Sequence, residues 1–278
     1  MKALPELTDI ALEQRQSTLI ATLNRPKKKN ALSPPMVEGL MKLCDWLESN
    51  RDIRAFVLRG AEGCFCAGGD ISDFTRLLGV PAPAPGEFDS VAAANRPFGN
   101  LLLKLDALPQ VFITVIEGVA FGGANGLICV ADISLAETAT KFALSETMLG
   151  IVPAQIGPFV VRKIGLFNTR RIALSGARFD ADEALRLGLV DRVVTGAAAV
   201  DAALVETLNA VGRCEPDANA ATKRILNAAG PKVDPAQLDK AAEEFAACLR
   251  GRGKDGAMSF AAKKTPDWIE TYAEHGEA

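Results

Sequence analysis

Twice in the first half of the chain an apolar, strand-like run ends near paired glycines and gives way to helix-like sequence. Ile53 to Leu58 leads into Cys66-Ala67-Gly68-Gly69-Asp70, and Val111 to Ile116 into Phe121-Gly122-Gly123-Ala124-Asn125-Gly126. Such strands read as buried, and their alternation with helices predicts an α/β layout. The first amides of a helix have no internal acceptor, and glycine lets another group approach them closely. Each turn can therefore hold an oxygen on which negative charge develops. Ligands in folds of this class gather beyond the carboxyl ends of the strands. A single Gly-Gly pair is ordinary loop punctuation; its repetition after two buried strands is what points to a site. Neither turn has the G-x-G-x-x-G or P-loop spacing, which disfavours a phosphate cradle.

A chain of 278 residues, 49% of them hydrophobic, can bury a large core, as one domain or as a main domain with a small appendage. The net charge of −3 gives no general footprint for nucleic acid, although Lys27-Lys28-Lys29 is a local cationic cluster able to meet phosphates. Cys44, Cys64, Cys66, Cys129, Cys214 and Cys248 fall mostly in apolar stretches, without metal-ligand spacing or a secretory signal. A reduced, cytoplasmic protein with no metal and no membrane segment is expected, with Cys64-Phe65-Cys66 packed rather than reactive. The lone histidine, His275, sits in a polar tail, which argues against Ser-His or multi-histidine chemistry.

Ile10 to Glu13 and Thr18 to Leu23 read as an opening hairpin. Ser33 can cap a helix that starts at Pro34-Pro35 and carries Met36, Leu40, Leu43 and Leu47 on one face. Prolines exclude regular structure from Val80 to Ser90, a segment followed by a helix over Val91 to Leu105. From Leu166 onward the pattern is mainly helical, with helices expected at Asn168 to Leu174, Ala181 to Leu187, Ala197 to Val211, Asp217 to Ala228, Pro235 to Leu249 and Asp255 to Lys264.

Leu23-Asn24-Arg25-Pro26, Asn30-Ala31-Leu32, Phe65-Cys66-Ala67-Gly68-Gly69-Asp70, Glu117-Gly118-Val119-Ala120-Phe121-Gly122-Gly123, Phe142-Ala143-Leu144-Ser145-Glu146, Leu149-Gly150 and Leu187-Gly188-Leu189-Val190 follow one another in order. In this the chain resembles the crotonase superfamily of enoyl-CoA hydratases and isomerases, from about Leu7 to Trp268. The resemblance implies a spiral of repeated ββα units over residues 1–195 and a helical part over 196–278 that supports trimer contacts. It also implies an acyl-CoA thioester substrate, no cofactor beyond that CoA, and a homotrimer or pair of trimers. It places the oxyanion donors at the Gly69 and Gly123 amides, and Ala67, Gly68, Asp70, Ile71 and Ser72 along the thioester arm. Lys27, Lys28 and Lys29 would lie near the nucleotide end, and Phe260 and Lys263 would contact CoA, often from a neighbouring subunit.

Well-known hydratases of this superfamily use two glutamates, and here the chain departs from them. The position three residues after Gly123 is Gly126, which cannot carry a proton; the second falls on Glu146. Glu146 is thus the expected general acid/base, its carboxyl raised towards working pH by a dry pocket. Read without the resemblance, Ser145-Glu146 is ordinary chemistry for a helix start. Asn125 can orient water beside Gly126, and Gln155 can hold water or a substrate carboxylate. Glu117, Asp70, Asp73 and Asp132 are read as structural. Val152-Pro153-Ala154-Gln155-Ile156-Gly157-Pro158 further resembles hydratases of branched glutaconyl-CoA esters, such as isohexenylglutaconyl-CoA in acyclic terpene breakdown. Three readings stay open: hydration of a 2-enoyl-CoA to a 3-hydroxyacyl-CoA, Δ3,Δ2 double-bond isomerisation by Glu146 alone, and a non-catalytic acyl-CoA or protein-binding relative.

Overall fold

The computed structural model describes residues 3–84 and 86–270, so His275 lies outside the described residues. Strands β1 (Ile10–Arg15) and β2 (Thr18–Leu23) form the expected antiparallel hairpin. Helix α1 (Pro34–Glu48) leads to β3 (Ala55–Gly60), and α2 (Ile71–Leu77) and α3 (Ser90–Ala107) to β4 (Val111–Ile116). There follow β5 (Val119–Phe121), α4 (Gly123–Cys129), β6 (Ile133–Glu137), β7 (Lys141–Ala143), α5 (Gly157–Ile164) and α6 (Leu166–Ser175). Strand β8 (Arg178–Asp180), α7 (Ala181–Arg186) and β9 (Arg192–Val194) precede the helices α8 (Ala197–Gly212), α9 (Pro216–Ala229), α10 (Pro235–Cys248) and α11 (Lys254–Ala261).

One sheet has the order β1-β2-β3-β4-β6-β9, parallel throughout except for the first hairpin; a smaller sheet has the order β5-β7-β8. Both faces of the large sheet are covered. Phe56, Leu58 and Phe112 join the main core with α1 and the later turns of α3, while Val57, Ile113 and Val115 face Val200, Ala203 and Leu204 of α8. That double burial explains why β3 and β4 are apolar at nearly every position rather than at alternate ones. Each large aliphatic side chain so buried stabilises the fold by about 1.5–3 kcal/mol. Helix α8 thus closes the rear core of the sheet across residue 195, and a third cluster joins α10 to α2 and the start of α3.

Helix α1 begins as its sequence dictates, with the Ser33 hydroxyl accepting from the Met36 amide and prolines in the first turn. The described residues of the Val80–Asp89 segment have no helix or strand, and Arg250 ties its two ends down. The Arg250 guanidinium donates to both Asp89 carboxylate oxygens, at 2.7 and 2.8 Å, and to the Val80 carbonyl at 3.2 Å. The three-residue strands β8 and β9 interrupt the stretch whose pattern reads as mainly helical; they are too short to show an alternation. Cys44, Cys66 and Cys129 are buried, and desolvation pushes each thiol up to about 12. Among the described residues no helix is long and apolar enough to cross a membrane.

Candidate active site

The two glycine turns are laced together by backbone hydrogen bonds. The Cys66 amide donates to the Val119 carbonyl at 3.0 Å, and Phe121 returns a bond to Cys66 at 3.1 Å. Leu32 donates to Gly68 and accepts from Asp70, so the residues on both sides of Gly69 are engaged while the Gly69 amide has no acceptor among the described residues. Gly68 adopts φ +91°, and a Cβ on it would stand 2.7 Å from the Phe121 carbonyl oxygen and 3.6 Å from the Gly123 nitrogen. Only a glycine permits this contact between the turns. Gly123 opens α4, and its amide likewise has no acceptor among the described residues.

Gly69 and Gly123 line one cavity of about 660 Å³, with walls that include Met41, Phe74, Leu77, Phe98, Val152 and Phe245. Ala67, Gly68, Asp70, Ile71, Glu146 and Gln155 also line it. The remaining expected residues lie elsewhere. Ser72 is held by Asp70, the cap of α2, to whose carboxylate it donates from its amide at 3.0 Å and its hydroxyl at 2.6 Å. Asn125 is fully buried behind the second turn, where its Nδ2 donates to the carbonyls of Ala120, Gly122 and Ala143; it clamps the turn and does not reach the cavity. Gly126 also faces away from it, into the core, where a Cβ would stand 2.6 Å from Ile156 Cγ2 and 2.9 Å from Leu102 Cδ1. The position is therefore filled by neighbours, not empty. Lys27, Lys28 and Lys29 are exposed near the rim, with Lys28 Nζ 4.0 Å from Asp70. Phe260, on α11 and 59% exposed, and Lys263, just beyond it, do not line this cavity.

Glu146 follows β7 and starts the 3-10 turn Glu146–Leu149. The turn is pinned from two sides. Thr147 Oγ1 donates to the Ala173 carbonyl at 2.9 Å, and α11 approaches so closely that a Cβ on Gly256 would lie 2.1 Å from the Leu149 carbonyl oxygen. The carboxyl leans over the second glycine turn, its Oε1 3.1 Å from where a Gly122 Cβ would stand. The residue as a whole is half-buried because it borders the cavity, but Oε2 is sealed from solvent and has no hydrogen-bond partner among the described residues. Desolvation raises its pKa from 4.5 to about 7, opposed only by its own backbone amide. Asp70 behaves in the opposite way. Burial works against its charge, yet hydrogen bonds from Ser72 and Arg25 hold it at about 2. Asp73 pairs with Arg76, Glu117 with Arg59, and Asp132 with Lys223, all structural attachments.

Gln155 is 3% exposed and donates from Nε2 to the Leu238 carbonyl at 3.0 Å, tying α5's entry to α10. Its Oε1 lies where a Cβ on Gly99 would stand, at 2.0 Å, and has no partner among the described residues. The amide that would hold a substrate carboxylate is thus engaged by the backbone. Two cavity residues escape the motif reading. Phe98 lies against Gly123, its Cε1 3.3 Å from a Cβ there, and Asn95 lines the cavity one turn earlier on α3. A polar residue in the stripe Val91, Asn95, Gly99 and Leu102, whose other members are buried, is the signal that marks it. A larger open groove of about 1130 Å³ elsewhere is lined by Arg15, Arg59, Glu117 and Asp201, whose charges largely pair among themselves.

Two acceptor-free amides and one buried, easily protonated carboxyl on a shared wall can stabilise an enolate oxygen and move a proton beside it. Known proteins are similar to it in sequence and fold. Residues 13–271 match the family model of enoyl-CoA hydratase/isomerase. The chain is 32% identical over 271 residues to the mevalonyl-coenzyme A hydratase of Beauveria bassiana, covering 95% of each. Its fold superposes on AtuE of Pseudomonas aeruginosa with TM-score 0.75 at 44% identity, over 95% of this chain and 100% of that one. An enoyl-CoA hydratase/isomerase from Marinobacter aquaeolei gives TM-score 0.76 at 43% identity, over 94% and 99%. With that family matched from β1 to the last described residues, and with the solved folds covered end to end, the chain belongs to the enoyl-CoA hydratase/isomerase family of the crotonase superfamily.

Proposed function

We propose that this enzyme hydrates the 2,3 double bond of a branched, glutaconyl-like enoyl-CoA to a 3-hydroxyacyl-CoA. The observation that carries the reading is Glu146, a carboxyl free of any ion pair among the described residues and raised to about 7, on the wall it shares with the Gly69 and Gly123 amides. The thioester carbonyl accepts from both amides, which draws the π electrons of the conjugated bond towards oxygen. Glu146, ionised, takes a proton from water as the oxygen attacks C3, then returns that proton to C2. Loss of one such amide donor costs about 2.7–4 kcal/mol in a well-studied hydrolase, so the pair supplies a large part of the rate. Apolar walls suit a branched chain, and Arg76, the cation among the described lining residues, would have to exchange its Asp73 partner to meet a distal carboxylate. CoA enters as part of the substrate, and the chemistry calls on no further cofactor.

Isomerisation is the second reading, favoured by the packing of Ile156 and Leu102 over Gly126: one carboxylate moves a proton between C2 and C4 unaided. In either case we place the enzyme in the cytoplasm as a homotrimer or pair of trimers, with Phe260 and Lys263 reaching a neighbour's CoA. Exposed Leu166, Phe167, Leu174, Ile225 and Leu226 support that assembly. Turnover of 2-enoyl- and 3-enoyl-CoA panels in heavy-oxygen water decides between the reactions. Label in the product hydroxyl is expected; bond migration without label would replace hydration by isomerisation.

A further inference from the structure

Most polar side chains on the cavity wall are committed. Ser33 caps α1, Asp70 caps α2 and pairs with Arg25, Asp73 pairs with Arg76, and Glu38 with Lys42. Three buried oxygens on that wall accept nothing among the described residues: Glu146 Oε2, Gln155 Oε1 and Asn95 Oδ1. Gln155 is nonetheless anchored through Leu238 and packed on Gly99. Asn95 differs in that no anchoring bond accompanies its Oδ1, which is buried without a hydrogen-bond partner among the described residues. It interrupts a helical stripe of buried residues, where a branched aliphatic side chain would pack without leaving a polar atom bare. A contiguous wall runs from Asn95 through Phe98, one turn further along α3, to Gly123, then to Gly122 and the Glu146 carboxyl.

Buried acceptors call for a donor, and a carboxylate on the acyl chain has no hydrogen to offer. Water has two O–H bonds and a nucleophilic lone pair. We propose that Asn95 is a catalytic residue that holds the attacking water: one O–H is donated to the Glu146 carboxylate, the other to Asn95 Oδ1, and a lone pair is directed at C3. The oxygen forms its bond to C3 as the C2=C3 π pair moves towards the thioester carbonyl. The O–H shared with Glu146 breaks, and its proton passes through Glu146 to C2. Asn95 gains and loses no proton. The inference rests on the hydratase reading.

Proton exchange at C2 of a saturated acyl-CoA needs Glu146 and the two amides but no nucleophilic water, which supplies an internal control. In Asn95→Leu, heavy-oxygen incorporation into a 2-enoyl-CoA is expected to fall by roughly 100-fold in kcat, with hydrogen–deuterium exchange at C2 of butyryl-CoA and its Kd changed by less than about threefold. The melting temperature is expected to stay level or rise, because the bare carboxamide oxygen is gone. Asn95→Ala makes the same separation should the leucine fail to pack. Hydration at the wild-type rate in either variant, or loss of exchange in parallel with hydration, would overturn the assignment of Asn95 alone. A wild-type enzyme that shifts double bonds without taking up label would overturn the hydratase reading, and the role of Asn95 with it.

Discussion

Glu146 owes its chemistry to what surrounds it rather than to a charged partner. Because its folded pKa, about 7, exceeds the ordinary 4.5, the folded chain binds more protons than the unfolded chain between those values. Stability is therefore greatest below about pH 4.5 as far as this group is concerned, and declines as pH rises through about 7, by up to about 3 kcal/mol. Glu146→Gln carries no such burden, so its melting temperature should gain on the wild type as pH goes from 5 to 8; a constant difference would show that the carboxyl is not desolvated. As a base Glu146 must be ionised, so turnover should fall as pH drops through about 7. Gly126 illustrates the limit of counting along a motif. The spacing identifies where relatives carry an acid, but only the packing reveals Ile156 and Leu102 occupying that direction. Gly126→Glu should lower stability by about 1–3 kcal/mol in urea titrations, without faster hydration, because it overpacks a filled core.

At the scale of elements, what could be read from the chain was what local chemistry determines. Ser33 with its two prolines, the apolar runs of β3 and β4, and the proline-rich break before α3 each announce themselves within a few residues. So did the two glycine turns and Glu146, although their meeting on one wall depends on pairing between Cys66 and Ala120, distant in sequence. Asn125 and Gln155 were legible as polar residues near the site but not as braces, because their partners lie on other elements. Gly99 is such a case, a helical glycine whose reason is the Gln155 side chain lying across it. Gly99→Ala should push Gln155 off the Leu238 carbonyl and loosen α3 from α10, costing about 1–3 kcal/mol despite alanine's better helix propensity. Combining it with Gln155→Ala should recover part of that loss, whereas strict additivity in denaturation would contradict the coupling.

Across the whole molecule, the helices after residue 195 finish what the sheet begins: α8 closes its rear face, α10 supplies Phe245 to the cavity, and α11 presses on the turn that holds Glu146. The apolar residues left exposed on α6 and α9 lead us to expect a solution mass near three or six times 29.4 kDa by light scattering; a monomer at micromolar concentration would count against trimers. Catalysis of either reaction turns on the shared wall of two amides and one acid. The most direct test of that dependence is Glu146→Gln, assayed for both turnover of a 2-enoyl-CoA and equilibrium binding of the saturated ester. We expect kcat to fall by about 100-fold or more while Kd stays within about threefold, since the amides that hold the thioester are untouched. Turnover at the wild-type rate in that variant would contradict it.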